Sequence, residues 1–218
     1  MKHRSSGRLT RTTAWALVLL MTGFLAACGS NDDEEGPAPA LTPPAGFTVV
    51  SSGKAGFAIA VPDDWIRLPL NGLAAYDEAA EKIQAQNPAV KDALDTGRTL
   101  IGRGVELFAL DPTDNGATSA NLLVRETPED ETLEVASKQS VDLLAQRSAT
   151  GIQREYTQLG GVEATKISFT IPVQTADHGT RNVETTQYIA LSNGKSYVLT
   201  LAGTGPDREA IVQSLRLA

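Results

Sequence analysis

The chain has almost none of the side chains that bridge, bind metals or attack bonds. Of its 218 residues, one is cysteine and two are histidine. A single cysteine excludes an internal disulfide. Zinc and copper sites need clustered His, Cys, Asp or Glu ligands, and two histidines beside one cysteine supply no such set. Basic residues are outnumbered, 19 Lys+Arg against 26 Asp+Glu, for a net charge of −7. That balance argues against the basic surface that nucleic acid or an anionic headgroup layer would require. Long apolar runs are also missing. The longest, Ala14 to Phe24 (AWALVLLMTGF), falls well short of the roughly 20 residues that cross a bilayer.

That run has a different use. Lys2, Arg4, Arg8 and Arg11 precede it without an acid among them, and Leu25-Ala26-Ala27-Cys28 follows it. A basic stretch, a short apolar core and small residues before a cleavage point form a secretory signal. No two of the arginines are adjacent, which favours the general secretory route over the twin-arginine one. Leu-Ala-Ala-Cys resembles the lipobox of bacterial lipoproteins. The resemblance implies that the Cys28 thiol receives a diacylglycerol, that residues 1–27 are removed, and that Cys28 becomes the first mature residue. Two acyl chains of the palmitate class anchor a protein stably where one does not. The expected mature chain has 191 residues, carries 15 Lys+Arg against 26 Asp+Glu, and has a net charge of −11. Its membrane contact is therefore expected through lipid on Cys28, on the extracytoplasmic face.

Residues 28–46 read as a tether. The stretch Gly29 to Gly46 joins the acidic run Asp32 to Glu35 to Pro37, Pro39, Pro43 and Pro44. With few apolar side chains to bury, it is expected to be disordered and solvated. Residues 47–218 read as one domain, large enough to bury a core without staples. Phe47 to Val50 and Phe57 to Val61 are short β-prone runs, and Trp65 to Leu68 is expected to pair nearby. Leu73, Tyr76, Ala80 and Ile83 recur at helical spacing. Asn87-Pro88 stops that helix and caps a second, lined by Val90, Ala93 and Leu94. Val105 to Leu110 and Ala120 to Arg125 are strands. Thr127-Pro128 is expected to open a long helix with Leu133, Ala136, Val141 and Leu144 on its inner face and Gly151 as its stop. Gln153 to Gln158, Val162 to Val173, Arg181 to Leu191 and Ser196 to Leu201 form a meander, turned at Gly160-Gly161 and Asn193-Gly194. A short helix from about Pro206 to Leu215 closes the chain. The sum is an α+β fold with a largely antiparallel sheet packed with helices.

Three stretches together carry a resemblance. Gly56 to Trp65 (GFAIAVPDDW), Gly161 to Phe169 (GVEATKISF) and Gln187 to Thr200 (QYIALSNGKSYVLT), followed by Ile211 to Arg216, resemble the PsbP/Mog-like fold, with α/β/α layers. With the lipobox in front, residues 46–218 are similar to the LpqN-type lipoproteins of actinobacteria. The resemblance implies a binding or assembly module associated with the cell envelope. It supplies no catalytic residues.

The residues themselves offer little chemistry to set against that reading. His178, next to Asp177, lies in a polar turn without a Gly-x-Ser-x-Gly elbow, so no nucleophile frame surrounds it. Asp111 to Gly116 (DPTDNG) has Thr113 at the third and Leu122 at the twelfth position of a calcium loop, and reads as a hairpin turn. Glu126, Glu129, Asp130, Glu131 and Glu134 read as acids stabilised at a helix N-terminus, with a docking patch for a basic partner as the alternative. Gly203-x-Gly205 lacks the rest of a phosphate-loop fingerprint. Trp65 is expected to pack at a strand corner. The expected function is thus a non-catalytic, membrane-anchored binding or assembly module. It uses no metal or cofactor and has an envelope protein or lipid as partner. The alternatives are a lipid carrier with an apolar groove under the helices around residues 73–101, or an envelope hydrolase using dispersed carboxylates.

Overall fold

The computed structural model describes residues 36–114, 116–174 and 180–218. Alternation of side chains along the strands fixes the layers. Two antiparallel sheets form. The smaller has the order β1-β2-β10, from Phe47–Ser52 (β1), Phe57–Pro62 (β2) and Arg216–Leu217 (β10). The larger has the order β3-β4-β5-β9-β8-β7-β6, from Ile66–Arg67 (β3), Val105–Leu110 (β4), Ser119–Glu126 (β5), Thr150–Leu159 (β6), Val162–Gln174 (β7), Thr180–Ser192 (β8) and Lys195–Ala202 (β9). Among the described residues four α-helices pack on them: Leu73–Gln86 (α1), Lys91–Arg98 (α2), Leu133–Gln146 (α3) and Arg208–Ser214 (α4). The fold is α+β, as the sequence predicts.

One face of the large sheet meets the small sheet and α4. Leu107, Ala109, Leu122, Tyr197, Leu199 and Leu201 pack there against Phe57, Ile59, Val61, Ile211 and Leu215. Their odd- or even-numbered neighbours point the other way, as strand geometry requires. On that second face α1 and α2 cover Phe108 and Leu110, while α3 lays Ala136 and Leu144 over Ile167, Phe169, Ile189 and Val198. Between these two apolar patches runs a polar row. The Ser140 hydroxyl bonds to Gln187 Oε1, and the Gln187 amide donates to Thr200 Oγ1 at 3.3 Å. All three side chains are buried, so the row is a satisfied network and not a solvent channel.

Local chemistry accounts for most of the element ends. Asn87 accepts from the Ala89 N–H at 3.2 Å and caps a 3₁₀ turn, Pro88–Val90, that leads into α2. The expected cap is there, but the first turn is 3₁₀. Asn193 and Gly194 take positive φ, 48° and 72°, which a two-residue hairpin turn demands. Other expectations are corrected. The α3 helix begins at Leu133, capped by the Thr132 side chain, not at Thr127. The Thr127 N–H is instead held by the Gly194 carbonyl at 2.7 Å, and Pro128 to Glu131 closes a turn. Gly151 does not stop that helix. It lies inside β6 at φ 63°, where the register with β7 shifts, and so forms a bulge. Strand β3 pairs with β4, far along the chain. The segment after α4 is a strand, β10, paired with β2.

Residues 36–46 correct the expectation of disorder for the tether's second half. Ala38, Pro39 and Leu41 are partly buried, the Pro44 carbonyl accepts from the Phe47 N–H, and the Gly46 carbonyl accepts from the Asp63 N–H at 2.9 Å.

Strand β2 is short of a partner at its middle, because β10 reaches only Ala58 and Phe57. Ser214 of α4 fills the gap. Its hydroxyl accepts from the Ala60 N–H at 2.8 Å and donates to the Ile211 carbonyl at 2.7 Å. Ser214→Ala leaves a buried N–H unpaired, and the expected cost is about 1–3 kcal/mol, read as a lower urea midpoint with unchanged slope.

Candidate functional site

Strand β7 carries an oddity in its alternation. Val162, Ala164 and Lys166 share the face that meets the small sheet, and a lysine there needs an opening. The opening is a cleft of about 500 Å³ between α4 and the outer strands β6 to β8. Its lining includes Glu155, Gln158, Lys166, Tyr188, Glu209 and Arg216. Glu155, Lys166 and Tyr188 are register neighbours across three strands, so the sheet itself sets their spacing. Lys166 Nζ bonds to Glu155 Oε1 at 2.7 Å. That bond holds the ammonium above its ordinary range, and burial of Tyr188 raises its phenol. At neutral pH the cleft therefore presents a neutral phenol, two cations and two carboxylates. It has donors and acceptors for a polar group and no excess of either charge. Lys166 itself is held protonated by its ion pair and offers no free amine.

A second depression of about 550 Å³ lies between α1 and α2. Ala80, Ala85, Pro88 and Leu94 line it, with Asp77, Glu81 and Asp95 around them. Arg98 bridges to Asp77 at 2.7 Å across the top. The space beneath these helices, where the carrier alternative places an apolar groove, is filled by Tyr76, Val90, Leu94, Leu100, Phe108 and Leu110, each 6% exposed or less.

The residues singled out in the sequence do not converge. Cys28, Asn115, Asp177 and His178 lie outside the described residues. Asp111 Oδ1 is taken by the Thr113 N–H at 2.7 Å and by its hydroxyl, which is an Asx turn and not a cation loop. No group of three or more His, Cys, Asp and Glu among the described residues could hold a metal ion. The acidic cluster is dispersed. Glu131 turns inward to Arg125 at 2.7 Å, and Glu134 alone sits in the first turn of α3, bonded to Arg154 and Tyr156. Those two partners hold the Glu134 carboxyl below its usual range. Behind Gly203-x-Gly205, Arg208 donates to the Gly203 carbonyl and to Thr186 Oγ1, closing the loop from within. Trp65 is buried in the core beside the β2 corner. Among the described residues, no helix is long and apolar enough to cross a membrane.

Sequence reasoning missed the cleft because its residues come from four separated segments. The one signal along the chain is Lys166 in line with Val162 and Ala164, where that strand face turns polar toward Ser168 and Thr170.

No family model matches the chain, and no curated protein matches it. Solved structures do. The solution structure of cyanobacterial PsbP (CyanoP) from Synechocystis sp. PCC 6803 is similar with a TM-score of 0.50 at 14% identity, covering 89% of this chain and 99% of that one. The crystal structure of LpqN, involved in cell envelope biogenesis of Mycobacterium tuberculosis, aligns with a TM-score of 0.41 at 16% identity, covering 79% of this chain and 90% of that one. The chain thus has a PsbP-like α+β fold.

Proposed function

We propose that this PsbP-like chain is a lipid-anchored module on the extracytoplasmic face of the cell membrane, binding an envelope protein or lipid without turning it over. The observation that carries the reading is Leu25-Ala26-Ala27-Cys28 behind a basic and then apolar stretch, in a chain with no other cysteine. A thiol at that one place, offered to a lipid-transferring enzyme, accounts for both its presence and its solitude. The polar cleft beside Lys166 supports the binding half of the reading. It offers fixed donors and acceptors on a rigid sheet and no positioned base or nucleophile. The acidic balance makes nucleic acid a poor partner.

Crosslinking in intact cells, followed by mass spectrometry of attached proteins and lipids, tests the binding half. The expected result is one or two envelope components captured by the native chain and lost with Lys166→Glu, whose fold is checked by its melting curve. Capture that is indifferent to Lys166→Glu moves the site elsewhere. Turnover of an envelope substrate by the purified protein, abolished by point substitutions, contradicts the reading.

A further inference from the structure

From Phe47 alone, an N-terminal anchor would leave the domain beside Pro62, since these two residues are register partners. Residues 36–46 change that. Gly46 sits at the Pro62 end, its carbonyl bonded to the Asp63 N–H. Gly36 sits at the opposite end, against the β1–β2 turn: a β-carbon placed on Gly53 would collide with the Gly36 carbonyl oxygen and come 3.4 Å from the Ala38 nitrogen. The segment is a strap running the length of the small hairpin, about 20 Å for six-residue strands. It carries the chain's point of exit from one end of the domain to the other.

Other turns share the exit end. Ala218 N–H bonds to the Gly56 carbonyl, Leu217 beside it packs on Gly160, and Lys195 Nζ bonds to the Lys54 carbonyl. The turns Gly53–Gly56, Gly160–Gly161 and Asn193–Lys195 therefore form one surface around Gly36. Residues 111–114, 116–118 and 203–207 lie at the far end, beside Ala202 and Ser119.

We propose that the surface around Gly53, Gly160 and Asn193 faces the lipid bilayer, and that the Thr204 end faces away from it. This rests on acylation of Cys28. Eight residue steps separate Cys28 from Gly36. Fully extended they reach at most roughly 28 Å, whereas the steps from Cys28 to Phe47 would reach roughly 65 Å if the strap were loose. The short leash brings that end close whatever path its residues take. No strongly basic patch is needed for this: Lys195 is the register partner of Glu126. The lipid holds the domain and the strap orients it.

The test uses the full lipidated chain in phosphatidylcholine vesicles carrying a small fraction of headgroup-labelled acceptor lipid. Acylation consumes the Cys28 thiol, so Lys54→Cys or Thr204→Cys provides the sole site for a donor dye. Energy transfer to the membrane is expected to be stronger from position 54 than from position 204. Adding Gly53→Val, which displaces the strap at a turn position whose backbone tolerates a side chain, is expected to weaken transfer from 54 and strengthen it from 204. Equal or reversed transfer from the vesicle-bound native chain overturns the orientation while leaving the anchor intact. A chain that does not float with the vesicles overturns both.

Discussion

Tyr76→Ala is expected to cost about 3–5 kcal/mol of folding stability, the range for a large aromatic removed from a core. Tyr76 is the buried centre of the α1–α2 cover, with no exposed surface. Its hydroxyl donates to the Leu94 carbonyl at 2.6 Å, tying α1 to α2, and its ring shares the space over β4 with Phe108. Gly97 shows how full that space is, because any β-carbon there would meet both the Tyr76 hydroxyl and the Phe108 ring. Little can move in to close the cavity, so the loss should fall toward the upper end of the range. Tyr76→Phe keeps the ring and removes only the hydroxyl, and should cost about 1 kcal/mol. Urea unfolding of the two variants measures the difference. Equal losses would show that the hydroxyl bond, and not the ring, holds the cover in place. Burial and the nearby Asp95 and Asp77 push the phenol well above its ordinary range, so it stays a donor over the whole range of ordinary buffers.

Cys28→Ser is expected to remove the protein from the membrane fraction altogether. Each buried methylene of an acyl chain contributes about 0.8 kcal/mol, so two chains outweigh any contact the acidic domain could make with headgroups. The variant should appear either as a soluble chain or as a precursor retaining residues 1–27, and gel mobility separates the two. Its domain should melt at the native temperature, because Cys28 precedes the strap by eight residues. A variant that stayed processed and membrane-bound would transfer the anchor from the cysteine to the domain.

Much of the fold was legible because short signals sat at element ends. Asn87-Pro88, Gly160-Gly161 and Asn193-Gly194 each demand a backbone geometry that few other residues adopt, and each marks a boundary in the structure. The cap of α3 lies five residues beyond the expected Thr127, at Thr132. Thr127-Pro128 and Thr132 both have a capping hydroxyl and acids nearby, and the decision lies in the tertiary contact from Thr127 to Gly194. Strand β10 was not legible, since two residues become a strand only where β2 offers an edge more than 150 positions away. The strap was hidden for a related reason. Its prolines match a disordered spacer in composition, yet the same prolines hold the backbone extended, so a docked strap loses less entropy on ordering than another sequence would. The cleft depends on register, which places Glu155, Lys166 and Tyr188 side by side across three strands. No spacing along the chain reports that.

The anchor and the strap together make the central claim: a short leash from an acylated Cys28 to a domain that exits at Gly36. The most direct test is the mass of the N-terminal peptide released by proteolysis from the membrane-extracted protein. The account predicts a peptide beginning at Cys28 that carries a diacylglyceryl group on its sulfur. A peptide that begins elsewhere, or an unmodified Cys28 in membrane-bound protein, would contradict it.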